Sequence, residues 1–146
     1  MTYSTSFNGS AAYLSTPSNA ALAFGTGDFT IEFWMNVQGA GDNAGQHIVQ
    51  TRSGTGNGFV LQYDRLNRKL LFQSDTAYNI SSATGSILDS TWYHVAVTRF
   101  GTATKLFLNG TEVGSQTSSE DLTATGPLFV SRRWVSDGAL HYFNGF

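Results

Sequence analysis

Turn-forming residues interrupt this chain at short intervals, and that spacing limits what it can fold into. They cluster at Thr16-Pro17-Ser18-Asn19, at Gly25-Thr26-Gly27-Asp28, at residues 39–45, 53–58 and 82–85, at Asn109-Gly110 and at residues 123–127. An amphipathic helix needs a long uninterrupted run with apolar residues three and four apart. The runs left here are short, rich in β-branched and aromatic residues, and alternate with a period of two, which is the pattern of strands. Residues 29–37 set Phe29, Ile31, Phe33 and Met35 against Thr30, Glu32, Trp34 and Asn36. Residues 59–63 and 69–73 flank a polar stretch and predict a hairpin, and residues 92–99 with 105–108 predict another. Asn109-Gly110 lies between Lys105-Leu106-Phe107-Leu108 and Thr111-Glu112-Val113-Gly114, where a two-residue turn needs the positive φ that Asn and Gly tolerate.

At 146 residues the chain is expected to be a single domain, residues 1–146, built on one core. Apolar residues at 40% can fill that core, but charged residues at 12% cannot cover the surface, so Ser, Thr, Asn, Gln and Gly must. The formal charge of −2 with only eight Lys and Arg gives no basic field for a row of phosphates, so nucleic acid is not an expected partner. The absence of cysteine removes disulfides and thiolate metal sites. The first ten residues are polar, with neither a basic start nor an apolar segment, so neither a signal peptide nor membrane insertion is expected.

Two blocks carry a family resemblance. Phe7-Asn8-Gly9-Ser10 and Tyr13-Leu14, then Phe24-Gly25-Thr26-Gly27-Asp28-Phe29-Thr30-Ile31-Glu32-Phe33-Trp34, resemble the opening of laminin-G-like domains of the concanavalin A-like lectin/glucanase superfamily. Trp92-Tyr93-His94-Val95-Ala96-Val97-Thr98-Arg99 followed by Lys105-Leu106-Phe107-Leu108-Asn109-Gly110 is similar to the family's central hairpin. The resemblance implies an all-β fold, a two-sheet antiparallel jelly-roll sandwich, with ligand sites on rim loops or a concave face. Family members continue past the equivalent of Tyr142-Phe143-Asn144-Gly145-Phe146 into a last strand that this sequence lacks, so an uncovered strand position and a partly open core are expected near Phe146. A truncated or incomplete chain, or a neighbouring subunit donating a strand there, would account for it.

Some relatives of this fold are glycosidases, which need two carboxylates flanking the scissile bond. The Glu-x-Asp-x-x-Glu strand motif is absent, Glu32, Glu112 and Glu120 are the only glutamates, and no enzyme activity is expected. His47, His94 and His141 lack zinc-site spacing. Calcium, which related domains hold through loop oxygens, has Asp28, Asp42, Asn43 and Asp137 as candidate ligands, although Asp and Asn in Gly-rich loops also serve as turn residues, Asp28 especially. No other cofactor is implied. Sugar binding would use exposed aromatics beside amides and Arg. Arg132-Arg133-Trp134 reads as a rim loop, the leading candidate for such a site, with simple Arg-on-Trp stacking as the alternative. Strand parity puts His94, Thr98 and Phe107 on the face opposite Val95, Val97, Leu106 and Leu108, together with Glu32 and Trp34; core packing is the competing expectation for Trp34 and Trp92. Asn8, Asn79 and Asn109 head Asn-x-Ser/Thr triplets, of which the first and last are better explained by turns.

Two functions follow. Cysteine-free, weakly charged domains of this kind occur on bacteriophage virions, as capsid decoration or tail fibre proteins, which implies a non-catalytic attachment module among other virion or self subunits, with surface glycans as contacts. The alternative is an extracellular carbohydrate-binding lectin module from a larger secreted protein.

Overall fold

A computed structural model describes residues 4–39, 45–52, 57–133 and 141–146. Among them run twelve strands: β1 (Phe7–Asn8), β2 (Leu14–Ser15), β3 (Phe29–Asn36), β4 (Gly45–Gln50), β5 (Phe59–Asp64), β6 (Lys69–Ser74), β7 (Asn79–Ser81), β8 (Trp92–Phe100), β9 (Ala103–Leu108), β10 (Thr111–Thr117), β11 (Phe129–Val130) and β12 (Asn144–Gly145). The helical content of the described residues is one 3₁₀ turn, Ala20–Leu22, whose N-terminus is capped by the Asn19 side chain. No helix among them is long and apolar enough to cross a membrane.

The strands form two facing sheets. One has the order β10-β9-β8-β3, the other β2-β11-β4-β5-β6-β7, and all their strand pairings are antiparallel. β12 pairs with β1 and also joins the first sheet: Asn36 and Phe146 exchange both backbone hydrogen bonds at 3.0 and 2.9 Å, and Gln38 N–H donates to Asn144 O at 3.0 Å. The interior follows from parity. β8 and β9 turn Val95, Val97 and Leu106 inward, all fully buried, against Leu61, Leu70 and Phe72 of β5 and β6. Each such side chain contributes about 2 kcal/mol by leaving water. The β9–β10 turn is the one expected, with Asn109 at φ 49° and Gly110 at φ 79°.

The two lateral edges of the sandwich differ. At one, β10 leans onto β7, where Gln116 accepts from Asn79 N–H at 3.0 Å and donates to Ala77 O at 2.9 Å. At the other, residues 144–146 cover β3 only beside residues 36–38, and the backbone of residues 29–35 has no partner on that side among the described residues. The open strand edge among the described residues is therefore the outer edge of β3. Docking of β12 there depends on Gly145, because a Cβ at that position would overlap Asn36 O and press on the Phe143 ring at 2.8 Å. Gly145→Ala is expected to destabilise the protein by about 1–3 kcal/mol in urea unfolding. An unchanged midpoint would mean that this segment is not docked on β3.

Candidate functional site

The outward face of the first sheet gathers polar and aromatic groups whose positions are fixed by register. Since Phe29, Ile31, Phe33 and Met35 point to the interior, Thr30, Glu32, Trp34 and Asn36 point out. Pairing with β8 sets Trp92 beside Asn36, His94 beside Trp34, Ala96 beside Glu32 and Thr98 beside Thr30, and pairing with β9 adds Phe107 and Lys105 to the last two rows. Trp34 is 62% exposed and Trp92 46%, so the expectation that they pack in the core is corrected. They fall on the outward parity of their strands, and rings from other positions, Phe29, Phe59 and Phe72 among them, fill the interior.

These groups touch. The Trp34 and His94 rings lie 5.3 Å apart at 51°, His94 Nε2 is 3.6 Å from Glu32 Oε2, and Trp92 lies 6.3 Å from the Phe146 ring. His94 is held by the tight turn: its N–H donates to Asn109 Oδ1 and its C=O accepts Asn109 N–H, each at 2.8 Å. The result is a shallow platform of two indoles in adjacent rows, with an imidazole beside Trp34 and a carboxylate in the row beyond it. Flat apolar rings next to fixed hydrogen-bonding groups are what a sugar needs, since it offers a C–H face and a rim of hydroxyls.

The other predicted site residues lie elsewhere. Arg132 and Arg133 follow β11, in the opposite sheet. The Arg132 guanidinium sits 4.5 Å from the Tyr13 ring centroid and 5.6 Å from that of Phe129, a cation–π contact. Arg133 Nη1 lies 3.1 Å from His141 Nε2, while His141 Nδ1 lies 2.7 Å from Gly45 O, which fits an imidazole carrying its proton on Nδ1. His47 and His141, 94 positions apart in sequence, come together with ring centroids 5.9 Å apart. Trp134 lies outside the described residues, and so do Asp42, Asn43 and Asp137. Asp28, the remaining calcium candidate, accepts Gly101 N–H at 2.7 Å and braces the β8–β9 turn. Among the described residues no three His, Cys, Asp or Glu side chains are grouped as metal ligands.

The carboxylates are poorly arranged for glycosidic cleavage. Glu32 and Glu112 stand on β3 and β10 with two strands between them, about 14 Å apart at ordinary strand spacing, beyond the reach of either glycosidase geometry. A hydrogen bond from Lys105, 2.8 Å away, holds the Glu112 carboxyl below the usual range, the reverse of a general acid. Glu120 is buried and consumed by structure: it accepts from Ser74 Oγ, Thr76 Oγ1, Asn57 Nδ2 and the N–H groups of Ala77 and Tyr78. Beside it, buried Arg99 donates to the carbonyls of Gly25, Gly27 and Glu120 and lies over Phe29. Neither role is signalled by local sequence.

The fold and its platform define a class, the lectin-like antiparallel sandwich. The chain belongs to the concanavalin A-like lectin/glucanases superfamily, in its laminin-G-type family, whose model matches residues 8–146. No curated protein matches it by sequence. Among solved structures it is similar to domains LG4-5 of the mouse laminin alpha1 chain, with a TM-score of 0.74 and 12% identity over 96% of this chain and 38% of that one. It thus spans well under half of the laminin structure. The CBM40 of the Ruminococcus gnavus IT-sialidase matches at 0.67 and 15% identity, over 86% of this chain and 73% of that one. Domain 4 of AbnA, a GH43 extracellular arabinanase of Geobacillus stearothermophilus solved with arabinotriose, matches at 0.62 and 16%, over 96% and 65%. At such identities these likenesses establish the fold.

Proposed function

We propose that this protein is a non-catalytic carbohydrate-binding and attachment module that receives glycans on the Trp34–His94–Glu32 platform, flanked by Trp92 and Phe146. The observation that carries the reading is the exposure of two indoles on one sheet face, next to hydrogen-bonding groups held in place by strand register. Exposed Trp is costly to solubility and common where ligands bind. Similarity to the sialidase and arabinanase modules supports the reading at the level of fold. A glycan array followed by calorimetry on the best hit tests it. Trp34→Ala is expected to weaken that hit at least about tenfold, with the circular dichroism spectrum unchanged. Equal binding by both proteins would move the site off this face.

The wider setting we propose is the surface of a bacteriophage virion, on a capsid or tail fibre, where weak single contacts are multiplied by copy number. The low charge, the lack of cysteine and the surface rich in Ser, Thr and Gly support this setting. Recovery of the chain in purified particles by mass spectrometry is the expected result. Recovery as a soluble secreted monomer would favour a lectin module of a larger extracellular protein.

A further inference from the structure

We propose that the platform selects sugars carrying a free primary ammonium, 2-amino-2-deoxy residues without an N-acetyl group, with Glu32 and Trp34 as the selecting pair. This rests on the reading of the Trp34–His94–Glu32 face as a glycan site and adds the class of sugar. Three observations carry it. The first is an unpaired anion. The Glu32 side chain is 64% exposed and accepts no hydrogen bond from the described residues, and its one ion-pair contact among them is His94 Nε2 at 3.6 Å, beyond hydrogen-bonding distance. The second is that the face offers no cation of its own. The four strands β3, β8, β9 and β10 carry Arg99 and Lys105 as their only Lys or Arg residues. Arg99 is buried and donates to the carbonyls of Gly25, Gly27 and Glu120, and Lys105 is bound to Glu112 at 2.8 Å. The third is placement. Glu32 and Trp34 stand two residues apart on the outward face of β3, about 7 Å along the strand. Trp34 is largely exposed, its indole N–H has no acceptor among the described residues, and Ala96, paired with Glu32, leaves space above the sheet beside the carboxylate.

Charge then separates the classes of sugar. A pyranose lying on the exposed indole brings an amino group within reach of Glu32. An ammonium there gains a charge-assisted hydrogen bond from the carboxylate and attraction to the ring face of Trp34. The acetamide of the N-acetylated sugar is neutral and gains neither. A uronic acid sets its carboxylate near Glu32, where like charges repel and neither Arg99 nor Lys105 is free to receive it.

The test is calorimetry of the 146-residue protein with three tetrasaccharides, of glucosamine, of N-acetylglucosamine and of galacturonic acid. It is run at about pH 6.5, where a sugar amine is protonated and carboxyl groups are ionised. Wild type is expected to bind the glucosamine oligomer at least about fivefold more tightly than its N-acetylated twin, and the galacturonate more weakly than either. Glu32→Gln, a surface change of nearly equal shape, is expected to bring the ratio of the first two to within about twofold of one, with the circular dichroism spectrum unchanged. A ratio near one in wild type overturns the proposal, and so does a preference that survives in Glu32→Gln. Trp34→Ala separates this failure from failure of the platform. If wild type binds the first two oligomers equally and Trp34→Ala weakens both, the face holds sugars without selecting charge. If Trp34→Ala leaves their binding unchanged, the platform reading falls as well. Binding of none of the three overturns the selection and leaves the platform to the glycan array.

Discussion

Glu120→Ala is expected to lower stability by about 3–5 kcal/mol and the melting temperature by about 10 °C. The carboxylate is buried, 8% exposed, and knits the crossover after β10 to the turn between β6 and β7. Removing it strands the Ser74 and Thr76 hydroxyls, the Asn57 amide and two N–H groups, each worth about 1–3 kcal/mol when left without an acceptor. The sum overstates the loss, because hydroxyls rotate and the N–H groups of Ala77 and Tyr78 also lie 3.1 and 2.9 Å from Ser74 Oγ. Burial by itself would raise the Glu120 pKa, but the bonds from Ser74, Thr76, Asn57 and Ala77 outweigh it and hold the carboxyl below its ordinary value of 4.5. A carboxyl depressed by folding contributes stability above its unfolded pKa and loses it as pH falls through the lower folded value. Wild type should therefore show an acid-unfolding step below pH 4.5 that the variant lacks. A loss under about 1 kcal/mol in denaturant titration would mean that water takes over these donors readily, and that the network is peripheral to stability.

That network shows where reading the sequence succeeds and where it stops. β3, β5, β6, β8 and β9 are legible because each is long enough to show a period of two, and Asn109-Gly110 because its turn demands φ values that few residues adopt. Parity alone also places Glu32, Trp34 and His94 on one face, which is most of the candidate site. The strands β1, β2, β11 and β12 are two residues each, too short to carry a period. Glu120 gives no local sign of its role because its partners lie 42 to 63 positions away. His47 and His141 look unrelated until β4 and the segment before β12 are brought side by side. Arg132 and Arg133 read as a free basic rim, yet they lie against Tyr13 and His141 from remote parts of the chain. What escapes the sequence is pairing between distant segments, while parity and turn chemistry are local and can be read directly.

Lowering the pH from 6.5 to about 4 is expected to remove about 3 kcal/mol of stability through His47 alone. His47 is 6% exposed, and burial, only partly opposed by the hydrogen bond with Gln50, lowers its pKa from 6.5 to about 4, with Arg133, His141 and Arg52 adding to the shift. Between those values the unfolded chain binds a proton that the folded chain refuses, so stability rises with pH through the window and falls as acid is added. His47→Gln has no titrating group and is expected to give a flatter curve of melting temperature against pH over that window. Parallel curves for the two proteins would assign the acid sensitivity to other groups. His47 also bridges Tyr142 in the segment that carries Phe146 to its place beside Trp92. On the proposed reading of the platform, glycan affinity at Trp34 and Trp92 is expected to fall over the same pH window in wild type and to hold in the variant.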